Sequence, residues 1–263
     1  MSERTLVVHR DADVLAAAVA ARLVTSLVDA QACRGHASVV LTGGGVGTSV
    51  LRALAESPAR DAVDWDAVDL WWGDERFLPA GDPERNETSA REALVDGLAV
   101  PPEQVHAMPA SDGPDGDDLD AAAQRYAAEL ARAAASVGAA KASRGAAGPL
   151  LPAFDVCLLG VGPDSHVASL FPGHPALEAT GTVVAVRRSP KPPPERLSLT
   201  FPALRAARQI WLLAAGSGKA EAVARTLSGA SLNEVPASGA VATEATLVLV
   251  DRDAAAALPQ AHR

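Results

Sequence analysis

Ser38-Val39-Val40-Leu41-Thr42-Gly43-Gly44-Gly45-Val46-Gly47 is the stretch that decides the architecture of this 263-residue chain. Ser38–Leu41 is an apolar run of strand length, the glycines behind it permit a tight turn, and Gly47–Glu56 has the length of a helix. A strand passing through a glycine turn into a helix is half of a βαβ unit. The same alternation extends in both directions. Thr5–Val8, Val68–Trp72, Phe154–Leu159, Val183–Val186, Gln209–Ala214 and Thr246–Val250 read as further buried strands. Asp13–Asp29, Leu119–Ala135 and Lys219–Leu227 read as helices between them. Strands alternating with helices from end to end predict an α/β fold, with a parallel sheet covered by helices on both faces.

Composition agrees with that reading. Hydrophobic residues make up 48% of the chain and aromatics 3%, so the core is built chiefly from Ala, Val and Leu, as in helix-covered parallel sheets. Ser111–Asp118 and Ser136–Pro152 read as loops rather than linkers, because the alternation resumes after each. With no internal repeat, residues 1–263 are expected to form one domain. A net charge of −9 offers no electrostatic footprint for nucleic acid. Cys33 and Cys157 have no metal-ligand or redox spacing and read as small buried hydrophobes in a reducing compartment. Arg4, His9 and Asp11 surround a short apolar run that does not read as a secretory leader, and no window reaches the ~20 apolar residues of a membrane span. The expectation is a cytoplasmic protein without membrane partners. No apolar face stands out as surplus to the core, so the sequence leaves the oligomeric state open.

In an open parallel sheet the chain leaves each strand's carboxyl end through a loop, and ligands gather in the crevice those loops form. Four such loops are chemically unusual here. In the first, bare N–H groups at a helix start, approached closely through Gly43, Gly44 and Gly45, make an anion site, although the same glycines also serve a plain tight turn. No Gly-Lys-Ser/Thr follows, and Thr48 stands where a third fingerprint glycine would be, so a phosphate fits better than a nucleotide. In the second, Trp72-Gly73-Asp74-Glu75-Arg76 with a following Asn86, Arg76 offers a planar fork to an anion and Asp74 can orient a base or hold a hydroxyl. Alone, that triplet would pass for a solvated charged turn.

The third loop, Leu159-Gly160-Val161-Gly162-Pro163-Asp164-Ser165-His166-Val167-Ala168-Ser169-Leu170-Phe171-Pro172-Gly173, is the most specific. Asp164 lies two residues from His166 in a Gly/Pro turn, where a carboxylate can orient an imidazole whose other nitrogen meets substrate or water. The apolar run after it keeps the ring in a partly dry pocket. The fourth feature pairs Arg196, in an extended segment, with Lys219, which follows a strand and a glycine turn at a helix start.

In that order, these segments resemble the 6-phosphogluconolactonase family within the larger glucosamine-6-phosphate deaminase-like group. The family pattern has a Gly-rich turn, a Trp-x-Asp-Glu-Arg with a later Asn, a Gly-x-Gly-x-Asp-Gly-His-x-Ala-Ser-Leu-Phe-Pro-Gly loop, an Arg-x-Thr and a late Gly-x-x-Lys. Counterparts of all five run from Ser38 to Ala220. The resemblance implies a Rossmann-like three-layer α/β/α fold with a mostly parallel central sheet. It also implies hydrolysis of 6-phospho-D-glucono-1,5-lactone to 6-phospho-D-gluconate in the oxidative pentose phosphate pathway, with a small-molecule substrate and neither cofactor nor metal. His166 and Asp164 are then the catalytic pair, and Gly43, Gly44, Gly45, Asp74, Arg76, Asn86, Gly162, Arg196 and Lys219 the substrate and phosphate contacts.

Three positions depart from the pattern. Val46 and its neighbours replace hydroxyl-bearing residues in the first loop, Ser198 stands for the Thr of Arg-x-Thr, and Ser165 stands for glycine, which is strained if the backbone there needs a positive φ. The expected chemistry is general-base attack of water followed by general-acid release of the ring oxygen. A δ-lactone is a reactive ester and requires no covalent nucleophile; Ser169 moreover lacks a G-x-S-x-G elbow. Two other readings remain open. One is the isomerase/deaminase chemistry of the related group, in which Phe-Asn-Glu-Pro follows the His and Phe171 here replaces its carboxylate. The other is a catalytically idle sugar-phosphate-binding regulator, which lacks a basic DNA-reading module on either flank.

Overall fold

The computed structural model describes residues 4–136, 142–144 and 150–259. Its strands are β1 (Arg4–His9), β2 (Ala37–Leu41), β3 (Val68–Trp72), β4 (Asp74–Arg76), β5 (Val105–His106), β6 (Ala142–Arg144), β7 (Leu150–Pro152), β8 (Val156–Gly160), β9 (Val183–Val186), β10 (Arg196–Leu199), β11 (Gln209–Ala214) and β12 (Ala245–Asp251). Its helices are α1 (Ala12–Arg34), α2 (Gly44–Glu56), α3 (Asn86–Ala93), α4 (Leu119–Ser136), α5 (Phe201–Leu204), α6 (Ala220–Leu227) and α7 (Pro236–Gly239). Seven strands form the central sheet in the order β1-β12-β11-β8-β2-β3-β5, and every adjacent pair is parallel. Helices cover both sides, as the three-layer expectation required.

Local chemistry explains the helix ends. Asp11 accepts from the backbone N–H of Val14 at 2.9 Å to cap α1, and Gly35 ends it at φ 71°. The buried residues Leu15, Val19, Leu23 and Leu27 recur every fourth position, which turns one apolar stripe of α1 inward. Helix α2 starts three residues before the expected Gly47, because Gly44 and Gly45 already belong to its first turn. Strand β2 is buried along its whole length, and Trp71, Trp72 and Trp211 are among the largest fully buried side chains.

Two sequence expectations need correction. Val183–Val186 is a strand, but not of the parallel sheet: β9 pairs antiparallel with β10, which pairs antiparallel with β4 in a separate three-stranded sheet. A parallel crossover is usually built on an α-helix, and between β8 and β9 the described chain has only a short 3₁₀ segment, Pro175–Glu178. The second is Ser136–Pro152, read as a loop. Residues 142–144 and 150–152 pair as antiparallel β6 and β7, while residues 137–141 and 145–149 lie outside the described residues. No described helix is long and apolar enough to cross a membrane.

The strand order fixes where a ligand can sit. From β2 the chain moves outward through β3 and β5, whereas from β8 it moves the other way through β11 and β12. The sheet reverses between β2 and β8, and loops leaving a reversal point diverge to open a crevice. These two strands register only at Val39↔Val156 and Val40↔Cys157. Beyond them the Thr42 hydroxyl takes over, accepting from the Gly160 N–H at 3.2 Å.

Candidate active site

A pocket of about 420 Å³ opens at this reversal point. Its walls bring together Gly43, Gly44 and Gly45 after β2, Asp74, Arg76 and Asn86 after β3, Gly162 and His166 after β8, Arg196 on β10, and Lys219 after β11. Asp164 stands directly behind His166. Every residue singled out in the sequence is therefore at one place.

Helix α2 has no side-chain cap and no acidic residue in its first turn, so its leading N–H groups face the pocket uncommitted. Gly43 is there for clearance: a Cβ would fall 1.8 Å from Asn86 Oδ1. Asn86 is fixed by donating from Nδ2 to the Asp74 carbonyl at 2.8 Å. Beneath it lies Glu75, fully buried, which the sequence reading passed over. Its carboxylate accepts from the backbone N–H groups of Arg76, Asn86 and Glu87 at 2.8, 2.6 and 2.8 Å, with Arg85 Nη2 at 3.7 Å. Burial pushes this carboxyl up to about 7, against the pull of the Arg85 charge and the three N–H donors. Glu75 thus ties β4 to the start of α3 and sets Arg76 and Asn86 side by side.

Asp74 does not reach His166. Its Oδ2 accepts from the Ser169 hydroxyl at 2.7 Å, and the Ser169 N–H is held by Ser198 Oγ at 3.2 Å, so the Ser at the expected Thr position anchors the loop that carries His166 from behind. Arg76 donates from Nη1 to the Glu84 carbonyl at 2.5 Å, and its buried Nε has no partner among the described residues. Arg196 commits Nε and Nη2 to the carbonyls of Pro193, Lys191 and Pro192 at 2.9–3.2 Å, and its guanidinium lies 5.7 Å over the Phe171 ring. Lys219 donates to the Val161 carbonyl at 2.8 Å; burial first, then the charge of Lys191, lowers its pKa despite the opposing pull of Asp164.

His166 Nδ1 lies 2.5 Å from Asp164 Oδ1. Burial raises the Asp164 carboxyl, but hydrogen bonds and charges from His166 and Lys191 outweigh it and hold the group well below the usual carboxylate range. An ionised carboxylate only accepts, so Nδ1 donates to it, and Nε2 of this pocket-lining ring has no partner among the described residues. The ring rests on Phe171, centroids 4.6 Å apart. Gly162 gives it room: a Cβ there would lie 2.0 Å from Nδ1 and 2.5 Å from Asp164 Oδ1. The strain expected at Ser165 is present, at φ 68°. Lys191, absent from the sequence reading, lines the same pocket with Nζ 3.1 Å from Asp164 Oδ1. Its signal was a single charge within the proline run Ser189–Pro194.

Fold and site together define a class: an α/β enzyme with its pocket at the reversal point of a parallel sheet, lined by basic side chains and by a histidine paired with a carboxylate. The chain belongs to the glucosamine-6-phosphate isomerases/6-phosphogluconolactonase family, whose model matches residues 10–249. It is 59% identical over 256 residues to a 6-phosphogluconolactonase of Streptomyces coelicolor, covering 97% of this chain and 95% of that protein. A 6-phosphogluconolactonase of Mycobacterium tuberculosis is 51% identical over 250 residues, covering 95% of this chain and 96% of its own length. The solved 6-phosphogluconolactonase of Trypanosoma brucei superposes with a TM-score of 0.83 at 28% identity, covering 98% of this chain and all of that one.

Proposed function

We propose that this chain hydrolyses 6-phospho-D-glucono-1,5-lactone to 6-phospho-D-gluconate in the pentose phosphate pathway, with His166 as general base. The observation that carries the reading is the pairing of His166 Nδ1 with Asp164, which leaves Nε2 open beside an uncapped helix N-terminus. The substrate phosphate rests on the N–H groups of Gly43–Gly45 with Arg76 and Lys219, and Asn86 and Arg196 border the sugar. Binding energy from the phosphate, remote from the reacting carbon, goes into positioning. Nε2 then takes a proton as water attacks the lactone carbonyl. As the carbonyl re-forms, the bond from C1 to the ring oxygen breaks, and the imidazolium returns its proton to that oxygen. A base of this kind contributes ~10²–10⁴-fold in rate.

Phe171 favours hydrolysis over the deaminase alternative, since an apolar ring packs on the histidine at the position where the deaminase pattern carries its carboxylate. The reading extends to one domain spanning the chain, supported by pairing of the first strand, β1, with the last, β12. It also extends to a cytoplasmic location and to no nucleic-acid partner, supported by the free thiols of Cys157, buried as expected, and Cys33, exposed against that expectation, and by the acidic charge of −9. The test is hydrolysis of freshly generated lactone, coupled to detection of 6-phosphogluconate, for wild type and His166→Ala. Rapid turnover lost in the variant supports the assignment. Wild-type turnover no faster than spontaneous hydrolysis sinks it.

A further inference from the structure

One cation of the pocket has no part in the steps above. Lys191 reaches in from the segment between β9 and β10, and its ammonium lies 3.1 Å from Asp164 Oδ1 and 3.3 Å from His166 Nδ1. We infer that Lys191 is a positioning residue for the base: its charge, lodged against the Asp164–His166 pair, keeps the imidazole neutral where it must accept a proton. The kinetic consequence rests on the hydrolase reading; the titration behind it does not.

The need for such a cation follows from the pair itself. A carboxylate 2.5 Å from an imidazole fixes its tautomer but also stabilises the imidazolium, and a protonated histidine is no base. A positive charge on the same carboxylate oxygen offsets that bias without disturbing the orientation. The other charged groups around the ring are few. Lys219 stands beside Val161 on the same side, Arg196 lies beyond Phe171, and Arg76 and Asp74 occupy the pocket wall that follows β3. Among these side chains, Lys191 has a contact with His166 itself.

Its placement is built, not incidental. The Ser189 hydroxyl accepts from the Lys191 N–H at 3.3 Å and donates to the Lys191 carbonyl at 2.9 Å. Arg196 Nη2 holds the carbonyls of Lys191 and Pro192 at 3.2 and 2.9 Å, and its Nε holds that of Pro193 at 3.2 Å. Pro190, Pro192, Pro193 and Pro194 fix φ through the segment. A lysine serving only solubility requires none of this.

The experiment follows the His166 ring by NMR across pH in wild type, Lys191→Met and Lys191→Arg, with His166→Gln assigning the signal, and measures kcat/KM over the same range. Unit charges 3.3 Å apart in water-like surroundings shift a titration by about one pH unit. Lys191→Met is therefore expected to raise the His166 midpoint by about one unit. The acid limb of kcat/KM should rise with it, the plateau above that limb should change less than about threefold, and Lys191→Arg should restore the wild-type profile. An unmoved midpoint overturns the proposal. So does a KM raised about tenfold with an unmoved limb, which would make Lys191 a contact for the substrate's anion. The titration needs no substrate, so a wild-type protein without turnover would sink the hydrolase reading while leaving this one to be judged on the midpoint.

Discussion

Replacing Ser165 with glycine is expected to stabilise the protein by about 1 kcal/mol and to raise its melting temperature by about 2–4 °C. Ser165 sits at φ 68°, fully buried, in the turn that carries Asp164 and His166. A side chain in that left-handed region costs ~1 kcal/mol through the clash of Cβ with the following carbonyl. The Ser165 hydroxyl is also buried without a partner among the described residues, which costs ~1 kcal/mol more. Glycine removes both penalties. Against this gain, its freer unfolded chain and the lost side-chain contacts cost together ~1 kcal/mol. The turn keeps its shape, because its bonds from Ser165 N–H to the Gly162 carbonyl and from Ala237 N–H to the Ser165 carbonyl, both 2.9 Å, are backbone. Calorimetric unfolding of wild type, Ser165→Gly and Ser165→Ala separates the contributions, since alanine removes the hydroxyl and keeps the strain. Alanine keeps both the strain and the stiffer unfolded chain, so by the same terms it should gain ~1 kcal/mol from losing the hydroxyl alone. A melting temperature that falls in the glycine variant refutes the reasoning, and an alanine variant no more stable than wild type removes the unpaired hydroxyl from the account.

Asp164→Asn is expected to lower kcat by ~10²–10⁴ with the melting temperature within a few degrees of wild type, because an amide can stabilise the wrong tautomer of His166; full activity would mean that the carboxylate does not orient the base. Gly162→Ala puts a methyl 2.0 Å from His166 Nδ1 and should cost more than about tenfold in kcat, while a silent substitution would show that the ring moves aside freely. Outside the pocket lining, His106 faces Glu129 through Nδ1 at 2.7 Å and Asp69 through Nε2 at 3.2 Å; burial opposes its charge, yet the two carboxylates prevail and raise its pKa. Its raised folded value makes the contribution full below the unfolded value of about 6.5 and lost as pH rises through the folded one. Denaturant unfolding should therefore show His106→Gln most destabilised near pH 6 and closer to wild type in alkali, and an equal deficit at both ends contradicts the charged pair.

What the sequence made legible was whatever depends on neighbours along the chain. Ser38–Leu41 and Gln209–Ala214 match their strands within a residue because a buried parallel strand must be continuously apolar. The pairing of Asp164 with His166 was readable for the same reason, two residues apart in one turn. Strand β4 was not. Asp74-Glu75-Arg76 is charged throughout and matches a solvated turn, yet Glu75 is fully buried because three N–H donors from β4 and the start of α3 close around it. Nothing in the order of residues announces that Asn86 and Glu87 will fold back over a carboxylate eleven and twelve positions earlier.

Arg196 shows how a residue can be identified and its surroundings still missed. From the sequence, the family resemblance makes Arg196 a substrate or phosphate contact. In the structure, Nε and Nη2 are taken by three consecutive carbonyls, of Lys191, Pro192 and Pro193. The reason lies in the prolines. A run of them has carbonyls but almost no N–H groups, so it cannot join a sheet through both edges, and its acceptors need donors from elsewhere. A guanidinium, with five donors and no acceptor, suits such a run. Arg196 can hold it because β10 pairs with β4 and β9 and so directs the side chain into the crevice. The same clamp sets Lys191 against Asp164. Arg196, which the sequence put only in an extended segment, thus reaches the Asp164–His166 pair through a loop, and through a lysine that the sequence showed but gave no reason to place there.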